Sequence, residues 1–355
     1  MLILALRNNL LLIIPVFANF QGSCTQNCTA ISILEGRKTY KSTYKMQNHL
    51  PDDLVEKVKK LEKKFDTMGQ DLHSYLDGLL YADYLTYWDY VHLDVLLNLQ
   101  TPRTPFKDET IFILYHQITE LYFKLILHAI EQVANTHKIH VDEFVVQLER
   151  MNSYFDALIS SFHIMIDGMD KDQFLKFRMS LLPASGFQSA QYRKIEICSS
   201  QLINLVARGK REELKNASLE QHYDNLYWKR GATELATGKK TLTLRQFEMK
   251  YREEILDLSE KYETKNICSV YESLSEEEKS NPKLIELLRT YDQKANVLWP
   301  MMHYRSASRY LNKHPEEIAA TGGTNWQKYL PPHFQAIMFF PQLWQEEEIE
   351  RWGKV

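Results

Sequence analysis

Between Thr110 and Ala134 the chain reads TIFILYHQITELYFKLILHAIEQVA, a run that is apolar on nearly every side of a helix. Such a helix belongs in the interior of a large protein, so the rest of the chain must supply elements to bury it. Glu120 and Lys124, four residues apart, form an acid-to-base pair that favours the helix. His116 falls on the same stripe as Phe112 and Phe123. A histidine in that company is ordinarily a satisfied core residue, and the stretch alone gives no reason to read it otherwise.

The remaining sequence supports an all-α fold. Only 12 Gly and 11 Pro punctuate 355 residues, too few breaks for many short strands. The length permits one large domain or two ordinary ones, and the expectation is one large helical domain over residues 46–355, with a polar, irregular insertion at about 208–240. A formal net charge of -3 supplies no basic field for nucleic acid and no acidic tail. Cys198 and Cys268 stand isolated, as in a reducing compartment, and the expected location is the cytoplasm. Residues 1–45 are discordant. Arg7 followed by LLLIIPVF (Leu10–Phe17) has the charge and short apolar core of an export signal but is too short to span a bilayer. Cys24, Cys28 and the sequon Asn27-Cys28-Thr29 matter only if the chain is exported. Because the body shows no other sign of a secreted protein, an untranslated upstream extension or a disordered tail is the reading preferred to export, with Met46 as an alternative start. No stable membrane association is expected.

Along the body, Leu54, Val58, Leu61 and Phe65 recur at helical spacing from Asp52 onward. In Tyr75–Gln100 tyrosines recur every three residues (Tyr81, Tyr84, Tyr87, Tyr90), usually a packing row and alternatively a hydroxyl-bearing wall for a ligand. TPRTPFKDE is a loop into the central helix, and Val141–Ile166 reads as a second amphipathic helix. His137 and His140 are three apart with no third metal ligand in sight, so they read as solvated loop histidines. Asp170–Leu182 is a helix ended by Pro183, with Phe174 and Arg178 on one face. Ser185 and Gln188 read as a capping box opening a helix to about Val206, whose N–H groups would suit a carboxylate near Arg178. Leu244–Tyr262 and Lys283–Arg289 read as further helices. In Tyr291–Asn312, which holds Trp299, His303, Arg305 and Arg309, Pro300 must kink the helix or begin a new one. Thr321-Gly322-Gly323 is a loop without the spacing of a phosphate cradle, either an ordinary turn or a mobile segment over a site. The remainder, with Trp344, is a tail packing on the body.

Five ordered blocks go further: YWDYVHLDVLLNLQ (Tyr87–Gln100), FILYHQITELYFK (Phe112–Lys124), FLKFRMSLLPASGFQSAQYR (Phe174–Arg193), WPMMHYRSASRYL (Trp299–Leu311) and TGG. From about Leu79 to Trp326 the chain resembles the tryptophan 2,3-dioxygenase family, helical haem enzymes that open the indole ring. The resemblance implies haem b, ferrous when active, with dioxygen as co-substrate and L-tryptophan converted to N-formyl-L-kynurenine. It assigns His303 as axial ligand of the haem iron, with Trp299 beside the cofactor. It puts His116 opposite, positioning the indole N–H rather than acting as an obligatory base. Phe112, Tyr87, Tyr90, Phe174, Ser185 and Gly186 would line the substrate site, Arg178 would pair with the amino-acid carboxylate, and Thr321 would touch both ammonium and carboxylate. It further implies a homotetramer, or at least a dimer, in which the N-terminal region reaches a neighbour's active site.

Three departures accompany the resemblance. Extra residues lie within NKHPEEIAA, TNWQKYL follows TGG, and the N-terminal segment is unlike the family's. They keep open a related haem enzyme acting on a substituted indole or inserting one oxygen atom. From another class, a haem-free helical binding protein on the same scaffold is the alternative. None of the departures removes a chemical group that the reaction requires.

Overall fold

A computed structural model describes residues 6, 7, 10, 11, 50–83, 85–136, 138–181, 183–233, 238–311 and 331–354. Tyr84, His137 and the Thr321 loop, with Trp326, therefore lie outside the described residues. The chain divides into two compact units, 1–85 and 86–355. In the first, Leu6–Arg7 pairs with Leu10–Leu11 as a minimal antiparallel ladder. Helix α1 (Asp52–Thr67) turns through Gly69, at φ +65°, into α2 (Leu72–Leu80). Asp71 caps α2 by accepting from the N–H groups of His73 and Ser74. The Phe65 and Tyr75 rings meet edge-to-face, centroids 4.6 Å apart. No residue of either helix is buried, and the Leu54, Val58 and Leu61 stripe faces outward.

The described part of the second unit is helical apart from two isolated bridges. Tyr75–Gln100 is not one packed helix: its first residues end α2 in the first unit, and in the second unit the remainder is broken. Only α3 (Tyr87–Tyr90) and α4 (Leu93–Leu96) are helical, and His92 between them sits at φ 52°, which breaks the continuation. Of the tyrosine row, the described members Tyr81, Tyr87 and Tyr90 are all exposed, so they form no packed seam among the described residues.

The organising helix α5 runs Asp108–Ala134 and pairs with α6 (Val141–Ile166). It starts two residues early because Asp108 and Glu109 suit its positive N-terminal end. Glu109 is buried, and it accepts from Arg103 N at 2.9 Å, Thr104 N at 2.8 Å and Thr104 Oγ1 at 2.5 Å. Burial alone would raise this carboxyl, but those hydrogen bonds outweigh it and hold the group below its ordinary value. The central cluster joins Phe123, Ile126 and Ile130 of α5 to Phe144, Leu148 and Phe155 of α6. One stripe of α5 is left uncovered: Leu114, Ile118, Leu121 and Leu125 are 37–48% exposed.

Two expected helices are shorter. Helix α7 ends at Phe177 (Lys171–Phe177), and Arg178–Leu181 tightens into a 3₁₀ turn. Gln188 reaches back to the Ser185 N–H at 3.2 Å, one half of a capping box. Yet Gly186–Gln188 is only a 3₁₀ turn, and the true cap is Ser189, which accepts from Tyr192 N and opens α8 (Ala190–Ser199). The chain then breaks at Ser200 before α9 (Leu202–Leu205).

Residues 208–240 carry α10 (Leu219–Asp224) and α11 (Tyr227–Gly231). Then come α12 (Leu242–Lys261), α13 (Ile267–Glu272), α14 (Glu276–Lys279) and α15 (Pro282–Gln293). A π-helical turn, Lys294–Leu298, joins α15 to α16 (Trp299–Leu311), and so Pro300 neither stops the helix nor starts a separate one. At the head of this turn Asp292 is fully buried. It accepts from Asn296 Nδ2 at 2.8 Å, Phe339 N at 2.8 Å, Phe340 N at 3.1 Å and Trp344 Nε1 at 3.0 Å. Burial pushes its carboxyl up to about 6 against those four donors. The C-terminal segment thus packs on the body, with Trp344 and Trp352 buried edge-to-face.

Candidate functional site

Four elements bring aromatic and apolar residues to one satellite cluster at the α5–α6–α7–α16 junction. Helix α5 contributes Phe112, Tyr115 and His116 because positions i, i+3 and i+4 share a face. The Phe112 and His116 rings lie 4.1 Å apart, and Tyr115 meets His116 edge-on at 5.8 Å. The His116 Nδ1 lies 2.7 Å from the Phe112 carbonyl oxygen. A carbonyl only accepts, so Nδ1 carries the proton and Nε2 is left as an acceptor. Burial lowers the His116 imidazole below its usual value, keeping the ring neutral.

Helix α16 contributes the second imidazole. His303 stacks on Trp299 one turn earlier, rings 13° apart with centroids at 5.9 Å. Burial, then the neighbouring His116, push His303 down to about 4. Two neutral imidazoles from distant parts of the sequence therefore sit within electrostatic reach of one another. Phe162 of α6 lies 6.4 Å from His303 and 5.7 Å from Tyr115, whose ring in turn meets His116. Sequence reasoning does not single out Phe162 or Tyr115, and no local signal distinguishes them from other core aromatics. Among the described residues, the Trp299 Nε1 is buried with no hydrogen-bond acceptor.

Helix α7 supplies the third wall. It is anchored at its start by Asp170 N donating to Asp108 Oδ2 at 2.6 Å and by Asp108 N donating to Gln173 Oε1 at 3.2 Å. Phe174 reaches Phe112 at 6.2 Å and Tyr310 of α16 at 4.5 Å. One turn later Arg178 is 5% exposed, and burial lowers its guanidinium without taking it out of the charged range. Ser185 is partly buried and Gly186 exposed, on the segment after α7.

Phe112, Phe174 and Trp299 belong to this cluster, His116 and His303 join it through their ring contacts, and Arg178 follows directly from its α7 wall. Tyr87 and Tyr90 are not drawn into it within one chain, being 70% and 72% exposed. The predicted Thr321 contact lies outside the described residues. Chemically, the arrangement suits a flat apolar group with an N–H donor at one edge and an anionic end.

The sequence model of the tryptophan 2,3-dioxygenase family matches residues 79–325, well over half of the chain. A tryptophan 2,3-dioxygenase of Ruegeria sp. is 38% identical over 117 residues, 33% of this chain and 42% of that protein. One from Herpetosiphon aurantiacus is 41% identical over 115 residues, 32% of this chain and 44% of its own length. The chain thus spans under half the length of these relatives at that level of identity. A longer match, to the enzyme of Pseudomonas aeruginosa, is 28% identical over 266 residues, 74% of this chain and 88% of that protein.

Proposed function

The chain belongs to the tryptophan 2,3-dioxygenase family, and on that premise we propose that it is a haem-dependent dioxygenase converting L-tryptophan and dioxygen to N-formyl-L-kynurenine. Both oxygen atoms enter the product, and the indole 2,3 bond is cleaved. The observation that carries this reading is the pair of neutral imidazoles, His116 and His303, in one aromatic cluster.

The residues present fit haem b. His303 offers a neutral imidazole, the form that ligates iron. The buried indole N–H of Trp299, lacking an acceptor, suits a cofactor that carries carboxylates. Bound haem supplies the redox chemistry of dioxygen activation.

The chain's own residues do the rest. His116 Nε2 accepts the indole N–H and fixes the ring's orientation, while Phe112 and Phe174 flank its faces and exclude water. Arg178 holds the carboxylate, and Ser185 and Gly186 border it. Thr321 would touch the ammonium and the carboxylate, as the family resemblance implies. Tyr87 and Tyr90 serve a pocket completed by a second copy of the chain, in an assembly up to a homotetramer. The exposed tyrosines and the uncovered stripe of α5 support that assembly. No helix among the described residues is long and apolar enough to cross a membrane. The free, buried Cys198 and Cys268 fit a reducing compartment such as the cytoplasm.

The test is to load the protein with haem, reduce it, and follow formylkynurenine absorbance after adding L-tryptophan and oxygen. Haem-bound protein that forms no product, or that turns over only a substituted indole, overturns the substrate assignment.

A further inference from the structure

In the π turn between α15 and α16, the backbone N–H of Trp299 donates to the Lys294 carbonyl, five residues back. The next bond in that register would run from residue 300 to Ala295, but Pro300 has no N–H. The Ala295 carbonyl, on a fully buried residue, receives instead the hydroxyl of Tyr192 at 2.8 Å. A side chain from α8 thus completes the backbone bonding of a turn more than a hundred residues later.

The turn sets the direction in which α16 presents its side chains. One extra residue in a helix rotates everything after it by about 100° relative to an uninterrupted α-helix. Trp299 and His303 face Phe162 with that rotation in place, and an ordinary α-helical turn would swing them off that face. Tyr192 also touches the residues it holds. Its ring lies 4.8 Å from Trp299 at 30°, and Trp299 in turn stacks on His303. On its other sides it packs on Phe123 at 5.5 Å and under the Arg193 guanidinium at 5.1 Å. Arg193 is itself held by Glu196 at 2.7 Å and by Tyr227 Oη at 3.0 Å.

We infer that Tyr192 is a positioning residue for the proximal side of the cofactor site: its hydroxyl locks the π turn that aims Trp299 and His303. This rests on the proposal that His303 ligates haem iron. The role is carried by one hydroxyl bonded to one carbonyl, so it is separable from the packing of the ring.

The experiment compares haem-loaded wild type with Tyr192→Phe, which keeps the ring. The iron–histidine stretching band of the ferrous protein and the rate of haem loss to an excess of apomyoglobin are the readouts. Tyr192→Phe should shift the band and speed haem loss about five- to tenfold, the scale of one hydrogen bond. Adding Pro300→Ala supplies the missing N–H and should reverse most of both changes. Tyr271→Phe is the control, removing a buried tyrosine hydroxyl that donates to Lys279 O at 3.3 Å and not to the π turn. It should leave the band unmoved. An unshifted band and unchanged haem loss in Tyr192→Phe overturn the inference, as does a Tyr271→Phe protein that shows the same changes. Wild type without a Soret band, after haem supplementation, overturns the haem reading as well. Haem binding that depends on His303 but ignores Tyr192→Phe overturns this inference alone.

Discussion

The Trp299 indole and the His303 imidazole lie almost parallel, 13° between their planes and 5.9 Å between their centroids. Stacking one turn apart limits how His303 can rotate, so its ring is oriented before any ligand arrives. His116, on the other helix, is oriented by a backbone carbonyl instead. The two imidazoles are thus fixed by different means.

His303→Ala should abolish stable haem binding while leaving the helical fold intact. Loss of the Soret band with unchanged far-ultraviolet circular dichroism is the expected result, and a retained wild-type spectrum refutes the axial role.

Arg178→Leu should weaken L-tryptophan binding by ~2–5 kcal/mol, roughly thirty- to several-thousand-fold, the cost of losing a buried charged partner. Indole without a carboxylate should bind nearly as before. Titration of both ligands separates the effects, and equal losses rule out the carboxylate contact.

Glu109 sets an acid limit on stability. Its folded carboxyl lies below its ordinary value, so its contribution is present above about 4.5, the ordinary carboxylate value, and is lost as pH falls through the folded value. Glu109→Gln should lower the unfolding free energy by ~1–2 kcal/mol at pH 7. Urea titrations at decreasing pH should show the gap closing below about pH 4.5, and a gap independent of pH contradicts the assignment.

Replacing the uncovered α5 stripe tests assembly. Leu121→Glu with Leu125→Glu removes exposed apolar surface and should shift the protein toward monomer in sedimentation velocity without unfolding it. An unchanged sedimentation coefficient removes this face from the interface.

Much of the central helix is legible in the sequence because a long apolar run has few homes. His116 is not, since its neighbours Phe112 and Phe123 look alike whether they line a core or a pocket. Only the ordered blocks from elsewhere in the chain change that reading. The Ser185 cap is half right: Gln188 makes the expected backbone contact, but Gly186–Gln188 tightens into a 3₁₀ turn, which delays α8 to Ala190 with Ser189 as its cap. The π turn is hidden for a different reason. A single inserted residue leaves the apolar spacing around Trp299 nearly unchanged, and Pro300 signals a disturbance without saying which kind. The role of Tyr192 cannot be read from the sequence, because its partner carbonyl belongs to Ala295 and depends on the missing Pro300 donor.

Asp292 links events that are far apart in synthesis. Three of its four donors, Phe339 N, Phe340 N and Trp344 Nε1, lie 47, 48 and 52 residues further along the chain. A nascent polypeptide that has already delivered His303 still holds, just before the π turn, a buried carboxylate lacking most of its bonds. The segment that aims His303 is thus completed only when residues 339–344 fold back onto it, which ties the order of folding here to the later part of the chain.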